Sequence, residues 1–200
     1  MRCVYCDEEI SKISLTSLFL QEDKLCSKCR NQLPIKRRII TKNDMKVETF
    51  YEYDGMFKSL LLQFKECYDE ALKDVFLYKI ADYINVRYYG YHLVLVPSSK
   101  KKENERGFNH LEMMFEKVRL KRVNGLKMKQ ELVQEGKNYL QRSMMIDNYI
   151  YDGDDISRVL IVDDVMTTGS SLYGVYSAFK KKVRKAEVLS LAYKSKYLHN

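Results

Sequence analysis

The sequence predicts an α/β fold built on a parallel sheet and preceded by a small metal-binding unit. Two observations carry the sheet. Short runs rich in Val, Ile and Leu, residues 92–97, 159–162 and 186–193, read as buried strands. The segments between them place apolar residues every three or four positions, as helices do, and strands separated by helices pair in parallel. The third observation is that four of the five cysteines fall in two Cys-x-x-Cys pairs near the start of the chain. A length of 200 residues holds one ordinary α/β domain and an appendage, not two full domains.

Composition narrows the class. A hydrophobic fraction of 46%, a charged fraction of 31% and only two prolines exclude a disordered or fibrous chain. The longest apolar runs, near Leu60 and Val159, fall far short of the roughly 18 residues of a membrane span. Cys3 and Cys6 precede any hydrophobic region, so no signal peptide is expected and an intracellular location is. The net charge of +8 favours acidic partners, nucleic acid or phosphorylated metabolites first.

The elements follow in order. Residues 1–40 form the four-cysteine unit and end in the basic run Lys36, Arg37, Arg38; residues 45–200 form the α/β domain. Residues 47–53, with Phe50, Tyr51 and Tyr53, read as a strand. A helix begins near Met56, with Leu60, Leu61 and Phe64 on one face, and Cys67 lies in the turn after it. A second helix is expected through Leu72, Val75, Phe76, Ile80, Tyr83 and Ile84. The strand at 92–97 opens into a charged loop ending at Gly107. A helix over 109–120 carries Leu111, Met114, Phe115 and Val118. Residues 123–155 are the least patterned, with a strand expected near 126–128 and a short helix near 139–144. The strand at 159–162, a loop, a helix with Leu172, Val175, Tyr176 and Phe179, and a strand at 186–193 complete the chain.

Cys3-x2-Cys6-x19-Cys26-x2-Cys29 supplies four thiolates from two tight turns. That shell closes a tetrahedral site with no open position, which points to a structural zinc ribbon; an iron–sulfur cluster would use the same ligands. The lone Cys67 reads as a packing or surface residue rather than a nucleophile.

The densest chemistry follows the strand at 159–162. Asp163 and Asp164 stand at its carboxyl end, and Thr167, Thr168, Gly169, Ser170 and Ser171 lead into a helix. Backbone N–H groups and hydroxyls at a helix start cradle an anion, and paired carboxylates beside them suit ribose hydroxyls or Mg²⁺. A helix cap alone needs one such residue. The physics points to a sugar phosphate with a metal ion.

The run 159–171 resembles the phosphoribosyl-pyrophosphate signature of type I phosphoribosyltransferases. With the four-cysteine ribbon it resembles the ComF family of late competence proteins. A second motif agrees: Val96-Pro97, followed by Glu105-Arg106-Gly107-Phe108-Asn109, is similar to that family's Val-Pro…Glu-Arg-Gly-Phe-Asn block. The resemblance implies a phosphoribosyltransferase-like sheet after the ribbon. It implies that Asp163 and Asp164 hold the ribose hydroxyls and that residues Thr167, Thr168, Gly169, Ser170 and Ser171 hold the 5′-phosphate. It places the pyrophosphate at Ser98, Ser99 and Lys100, and a hood over the site at Arg106, Gly107, Phe108 and Asn109. Departures are Ser170 and Ser171, where the family has Ala then Thr, and Asn104, where it carries Arg. Residues 123–155 match poorly.

The family further implies natural transformation: single-stranded DNA handled on the cytoplasmic side, beside a helicase-like partner through which the chain would sit peripherally at the inner membrane. Charge supports this independently. Residues 117–137 hold seven Lys and Arg against two Glu, and residues 180–196 hold seven against one. Lys121, Arg122, Lys127, Lys129, Lys180, Lys181 and Lys182 are the candidate contacts, with some of the 16 tyrosines as stacking faces. Solvated basic faces and core tyrosines would account for the same residues. The other class is an active, Mg²⁺-dependent phosphoribosyltransferase. That chemistry rests on positioning and electrostatics, so the lack of an evident base does not exclude it. No nucleobase pocket is legible, and whether the chain is an enzyme stays open. His110 is a candidate proton carrier, against the commoner structural role of a histidine at a helix start.

Overall fold

The computed structural model describes residues 1–10, 23–98, 104, 107–128 and 149–195. In chain order these form α1 (Ser27–Asn31), β1 (Arg38–Lys42), β2 (Met45–Glu52), α2 (Gly55–Glu66), a 3-10 turn (Glu70–Leu72), α3 (Lys73–Phe76), α4 (Ile80–Arg87), β3 (His92–Leu95), α5 (His110–Met114), β4 (Lys121–Arg122), β5 (Leu126–Met128), β6 (Tyr149–Tyr151), β7 (Arg158–Met166), α6 (Ser170–Phe179) and β8 (Lys185–Tyr193). No helix among them is long and apolar enough to cross a membrane.

The main sheet runs β1-β2-β8-β7-β3-β4. Only β1 is antiparallel to its neighbour; the other pairs are parallel. Val159, Leu160, Ile161 and Val162 of β7 are fully buried, as expected for a parallel strand covered on both faces. The fold class expected from alternating strands and helices is therefore the one observed, a mostly parallel sheet flanked by helices.

The chain's path through the sheet creates a crevice. From β3 it moves outward through α5 to β4, whereas from β7 it moves the other way through α6 to β8. β3 and β7 are neighbours, so their carboxyl ends flank the point where connections diverge, the usual ligand position in open parallel sheets.

Three expected elements differ, each for a physical reason. The helix expected through residues 72–84 is broken, because Lys79 takes a left-handed φ of 60° between α3 and α4. Its apolar residues still face inward: Leu72, Val75, Phe76, Ile80 and Ile84 are buried. The helix expected over 109–120 stops at Met114, and Arg122 Nη2 donates to the Phe115 carbonyl at 2.8 Å beyond it. Phe115 and Val118 are nevertheless buried, so they supplied the apolar period from a turn. The strand at 159–162 extends to Met166, which pairs with Tyr193 of β8. Sheet pairing, not apolar content, sets its length. The expected strand near 126–128 is β5, paired with β6 in a small second sheet. The short helix expected near 139–144 lies outside the described residues.

A buried carboxylate fastens β2 to α4. Glu48 is 6% exposed; it accepts from the hydroxyls of Tyr83 at 2.7 Å and Tyr88 at 2.6 Å and pairs with Arg37. Burial pushes its pKa up, but the Tyr88 hydroxyl, Arg37 and Tyr83 outweigh burial and hold it below its ordinary 4.5. A depressed folded pKa gives stability that is complete above the ordinary value and lost as pH falls through the folded one. Glu48→Gln is therefore expected to cost about 1–3 kcal/mol at pH 7 and to flatten the acid limb of the stability curve below pH 4.5. Urea melts from pH 7 to 3 check this; an unchanged acid limb in the variant would contradict it.

Candidate functional site

The site is assembled from the carboxyl ends of β7 and β3. Asp163 and Asp164 lie inside β7 rather than in the loop after it. Adjacent strand residues start towards opposite faces, yet the two carboxylates stay within reach of each other, and Asp163 also feels the Lys65 charge. Asp164 is 5% exposed. It pairs with Lys65 near the end of α2, and His110 Nε2 of α5 lies 2.8 Å away, both at Oδ2. Burial works to raise its pKa, but Lys65 and His110 pull it well below the usual carboxylate range. Asp163 is half-buried, and its Oδ1 accepts the Asp164 N–H at 2.9 Å. Burial first, and then the Asp164 charge, push the Asp163 carboxyl up. Tyr149 of β6 lies on Asp163's side: burial and the Asp163 charge raise its pKa, and its hydroxyl meets Ser171.

The loop after β7 turns sharply. Thr167 and Thr168 are exposed, and Gly169 caps α6 with φ +76°. A Cβ there would meet only ordinary contacts, the nearest being Met166 at 3.7 Å and Lys42 at 3.8 Å. Glycine is required by the left-handed backbone, not by crowding. The hydroxyls of Thr168 and Ser170 are 2.9 Å apart, and the Ser170 N–H reaches Thr168 Oγ1 at 3.4 Å. All five expected phosphate-loop residues thus sit at one helix start, with the stem of Lys42 beside them.

Across the crevice, Ser98 follows β3 and lines a cleft of about 330 Å³ with Pro97, Asn109, Glu112, Arg122 and Asn124. Ser99, Lys100 and Arg106 lie outside the described residues. The rest of the expected hood motif anchors the chain. Gly107 has φ +78°, Phe108 packs on Phe64 with ring centroids 5.6 Å apart, and Asn109 Oδ1 caps α5 by accepting from the N–H groups of Leu111 and Glu112 at 3.0 and 3.1 Å.

The four cysteine sulfurs lie within 4.8 Å of one another, with Cys3, Cys26 and Cys29 buried and Cys6 exposed. Sulfurs about 2.3 Å from a tetrahedral ion stand about 3.8 Å apart, and those of Cys6 and Cys26 are 3.7 Å apart. The donor set and its geometry fit one metal ion. Arg30, next to Cys29, holds this unit to the α/β body. It makes a two-pronged pair with Asp23 at 2.5 and 2.6 Å, approaches the Val75 carbonyl at 3.3 Å, and lies 4.7 Å over the Tyr78 ring. Leu25 and Leu33 are buried on either side of it in sequence.

The candidate DNA lysines divide. Lys121 and Lys181 are exposed. Lys127 pairs with Asp152 at 2.8 Å. Lys180 pairs with Asp44 at 2.9 Å and lies over the rings of Tyr173 and Tyr176. Lys182 donates to the Tyr151 carbonyl. Arg122 turns inward, towards Glu112 and the Phe115 carbonyl, and burial lowers its pKa. Lys129 lies outside the described residues.

Lys65, Tyr149 and Lys42 were not singled out from the sequence. Lys65 did carry a signal, since it falls four residues after Leu61 on the apolar face of α2. Tyr149 lies in the unpatterned region, and Lys42 in a polar edge strand. His110, read as structural or a proton carrier, is in the buried Asp164 cluster.

No protein-family model matches the chain. It is 24% identical to "Competence protein ComFC" of Bacillus subtilis, over 94% of this chain and 92% of that one. It is also 24% identical to "Competence protein ComFC" of Streptococcus pneumoniae, over 86% and 90%. Among solved structures, a hypoxanthine phosphoribosyltransferase from Staphylococcus aureus aligns with 87% of this chain and 75% of its own, at 11% identity and a TM-score of 0.36. The two relatives and the four-cysteine cluster bear out the ComF resemblance carried by the two motifs.

The chain as purified is expected to carry about one metal ion bound by its four thiolates. Cys29→Ser should release it while far-ultraviolet dichroism of the α/β body persists. Metal analysis finding none, with all four thiols freely reactive in the native chain, would contradict the site.

Proposed function

We propose that the chain handles incoming single-stranded DNA during natural transformation, on a phosphoribosyltransferase-like scaffold that binds phosphoribosyl pyrophosphate. The observation that supports the ligand is that the Asp pair with the phosphate loop and Ser98 follow neighbouring parallel strands, β7 and β3, at the point where their connections diverge. Thr167, Thr168, Gly169, Ser170 and Ser171 take the 5′-phosphate through backbone N–H groups and hydroxyls. The Asp163–Asp164 pair serves the ribose, and Ser98, Ser99 and Lys100 take the pyrophosphate that travels with Mg²⁺. Zinc in the four-cysteine unit of residues 1–40 is structural, and residues 45–200 form the phosphoribosyltransferase-like domain. The competence role follows the two ComFC relatives; by the same analogy the chain works on the cytoplasmic side with a helicase-like partner.

One observation favours transferase activity as a second reading. The cleft beside Ser98 presents Asn109, Glu112 and Asn124 where an acceptor would sit. In that case the C1–pyrophosphate bond breaks with its electron pair on the leaving pyrophosphate, the acceptor closes on C1, and the proton the acceptor loses passes to water or to the pyrophosphate.

Phosphoribosyl pyrophosphate with Mg²⁺ is expected to raise the melting temperature, since a ligand at 100 times its Kd adds about 2.7 kcal/mol. Asp163→Asn combined with Asp164→Asn should remove the shift. An equal shift in the double variant would overturn the ribose assignment. Pyrophosphate release with a panel of bases then separates binding from transfer.

Single-stranded DNA is expected to bind more tightly than duplex, with little sequence preference. Each neutralised phosphate contributes about −0.7 to the log–log salt slope. Replacing Lys180, Lys181 and Lys182 with Ala should shallow that slope and leave metal content unchanged. Binding that is absent at low salt, or indifferent to salt, would move the transferase to first place.

A further inference from the structure

We infer that single-stranded nucleic acid lies along the edge where the chain enters the parallel strands, at the far end of β7 from the phosphate loop. Arg184, Arg158, Arg87 and Arg119 hold its phosphates, and a base stacks on Tyr89. This rests on the single-stranded-DNA reading and gives that reading its place on the fold.

Topology gathers these residues. The strands of a parallel sheet are all entered from one edge and left at the other, where the ligand crevice lies. Residues 180–184 lead into β8, 152–157 into β7, 88–91 into β3 and 115–120 into β4. Those four strands are consecutive neighbours and parallel, so their entries span three strand spacings, about 14 Å. Arg158 is aligned with Lys185 across the β7–β8 pairing, and both cations lie over the Tyr91 ring, 5.1 and 6.0 Å from its centroid. Next to β3, the Asn85 side chain accepts the Arg119 N–H at 2.7 Å and donates to the Lys117 carbonyl at 3.2 Å. The approach to β4 is thereby tied to the end of α4, where Arg87 and Tyr89 stand. Arg158 opens β7 and Met166 closes it, about 26 Å away at 3.3 Å per residue.

Charge gives the second reason. Arg87, Arg119, Arg158 and Arg184 are exposed, and none of them pairs with a carboxylate among the described residues. Arg158 is nevertheless held in place. Its guanidinium lies over the Tyr91 ring and over Gly90, where a Cβ would stand 2.8 Å from Nη2. A guanidinium positioned by a ring rather than by a carboxylate keeps its charge and its forked donors for a phosphate. Acidic groups bound the track. Glu187 pairs with Lys185 at 2.8 Å, and Asp154 and Asp155 share a cleft with Lys121. The strand therefore runs past Arg158 from the Arg184 side, with Lys121 at its margin.

The third reason is the exposed ring. Tyr88 and Tyr91 are buried, whereas Tyr89 between them is 84% exposed. Burying tyrosine faces in the core is the ordinary outcome, and this one stays in water two residues from Arg87. Rings beside cations are what single strands use, because their phosphates meet the charges while their unstacked bases find an aromatic face. A duplex keeps its bases stacked inside and offers the ring nothing. An acidic protein surface would satisfy the arginines and leave the ring without a counterpart. Of the lysines expected to contact DNA, Lys180 and Lys182 are engaged within the fold; the arginines of the same basic segments, Arg119 and Arg184, are not.

Fluorescence anisotropy of labelled oligothymidylate with the full chain, measured against salt concentration, tests this. Arg119→Gln, Arg158→Gln and Arg184→Gln combined should shallow the log–log slope by about 2, three phosphate contacts at about 0.7 each. Lys28→Gln, Lys36→Gln and Lys58→Gln combined remove the same charge from exposed positions elsewhere, and should change the slope by less than one contact, about 0.7. Tyr89→Ala should weaken binding about 5- to 100-fold at an unchanged slope, and Tyr89→Phe should keep wild-type affinity. All the altered side chains are exposed, so each variant should melt as the wild type does. Equal loss of slope in the two triple variants, or competition between the oligonucleotide and phosphoribosyl pyrophosphate, would overturn this placement and leave the DNA reading standing. Polyglutamate bound as tightly as the oligonucleotide, lost in the arginine variant and untouched by Tyr89→Ala, would assign the edge to an acidic protein instead. A wild-type chain that binds no oligothymidylate at low salt would sink the DNA reading and the placement together.

Discussion

A carboxylate buried on a central strand is tolerated only where the fold brings counter-charges to it, and Asp164 imposes that condition here. Lys65 must arrive from α2 and His110 from α5, although they are 45 residues apart in sequence and Asp164 lies 54 beyond His110. Meeting the condition fixes the end of α2, the start of α5 and the carboxyl end of β7 relative to one another. The phosphate loop leaves β7 from that fixed point, and Ser98 follows the neighbouring strand β3. The geometry of the candidate site is thus a consequence of satisfying one buried charge.

The same logic recurs at two other joints. Glu48 is buried on β2 and satisfied by Tyr83 and Tyr88 from the α4 region and by Arg37 from the chain entering the sheet. Arg30 satisfies Asp23 and the Val75 carbonyl at once, which seats the four-cysteine unit against α3. Each joint links segments distant in sequence through a charged group that would be costly to bury alone. The apolar core supplies cohesion without direction; these polar contacts supply register.

Much of the fold was legible because periodicity reports burial directly. The runs at 92–97, 159–162 and 186–193 became β3, β7 and β8, and the apolar face through Met56, Leu60, Leu61 and Phe64 became α2. Periodicity does not report backbone continuity, which is why residues 72–84 read as one helix although Lys79 breaks it. Nor does it report where pairing ends: β7 gains four residues beyond Val162 from its register with β8, and that gain places both carboxylates inside the strand rather than in the loop after it. β1 and β6 escaped notice because one is a polar edge strand and the other three residues long. The cysteine cluster was legible because ligand spacing is local. Lys65 was not, because its partner lies on another element, and only its place on the apolar side of α2 hinted at a buried role.

The proposed ligand is a sugar phosphate at the carboxyl end of β7, held by the phosphate loop and the Asp163–Asp164 pair. A crystal structure of the chain with ribose 5-phosphate tests it most directly. The expected result is the phosphate over the backbone N–H groups of Thr168, Gly169 and Ser170, with ribose hydroxyls within about 3.2 Å of the Asp163–Asp164 pair. A ribose that touches neither carboxylate, or a ligand bound elsewhere on the sheet, would contradict it.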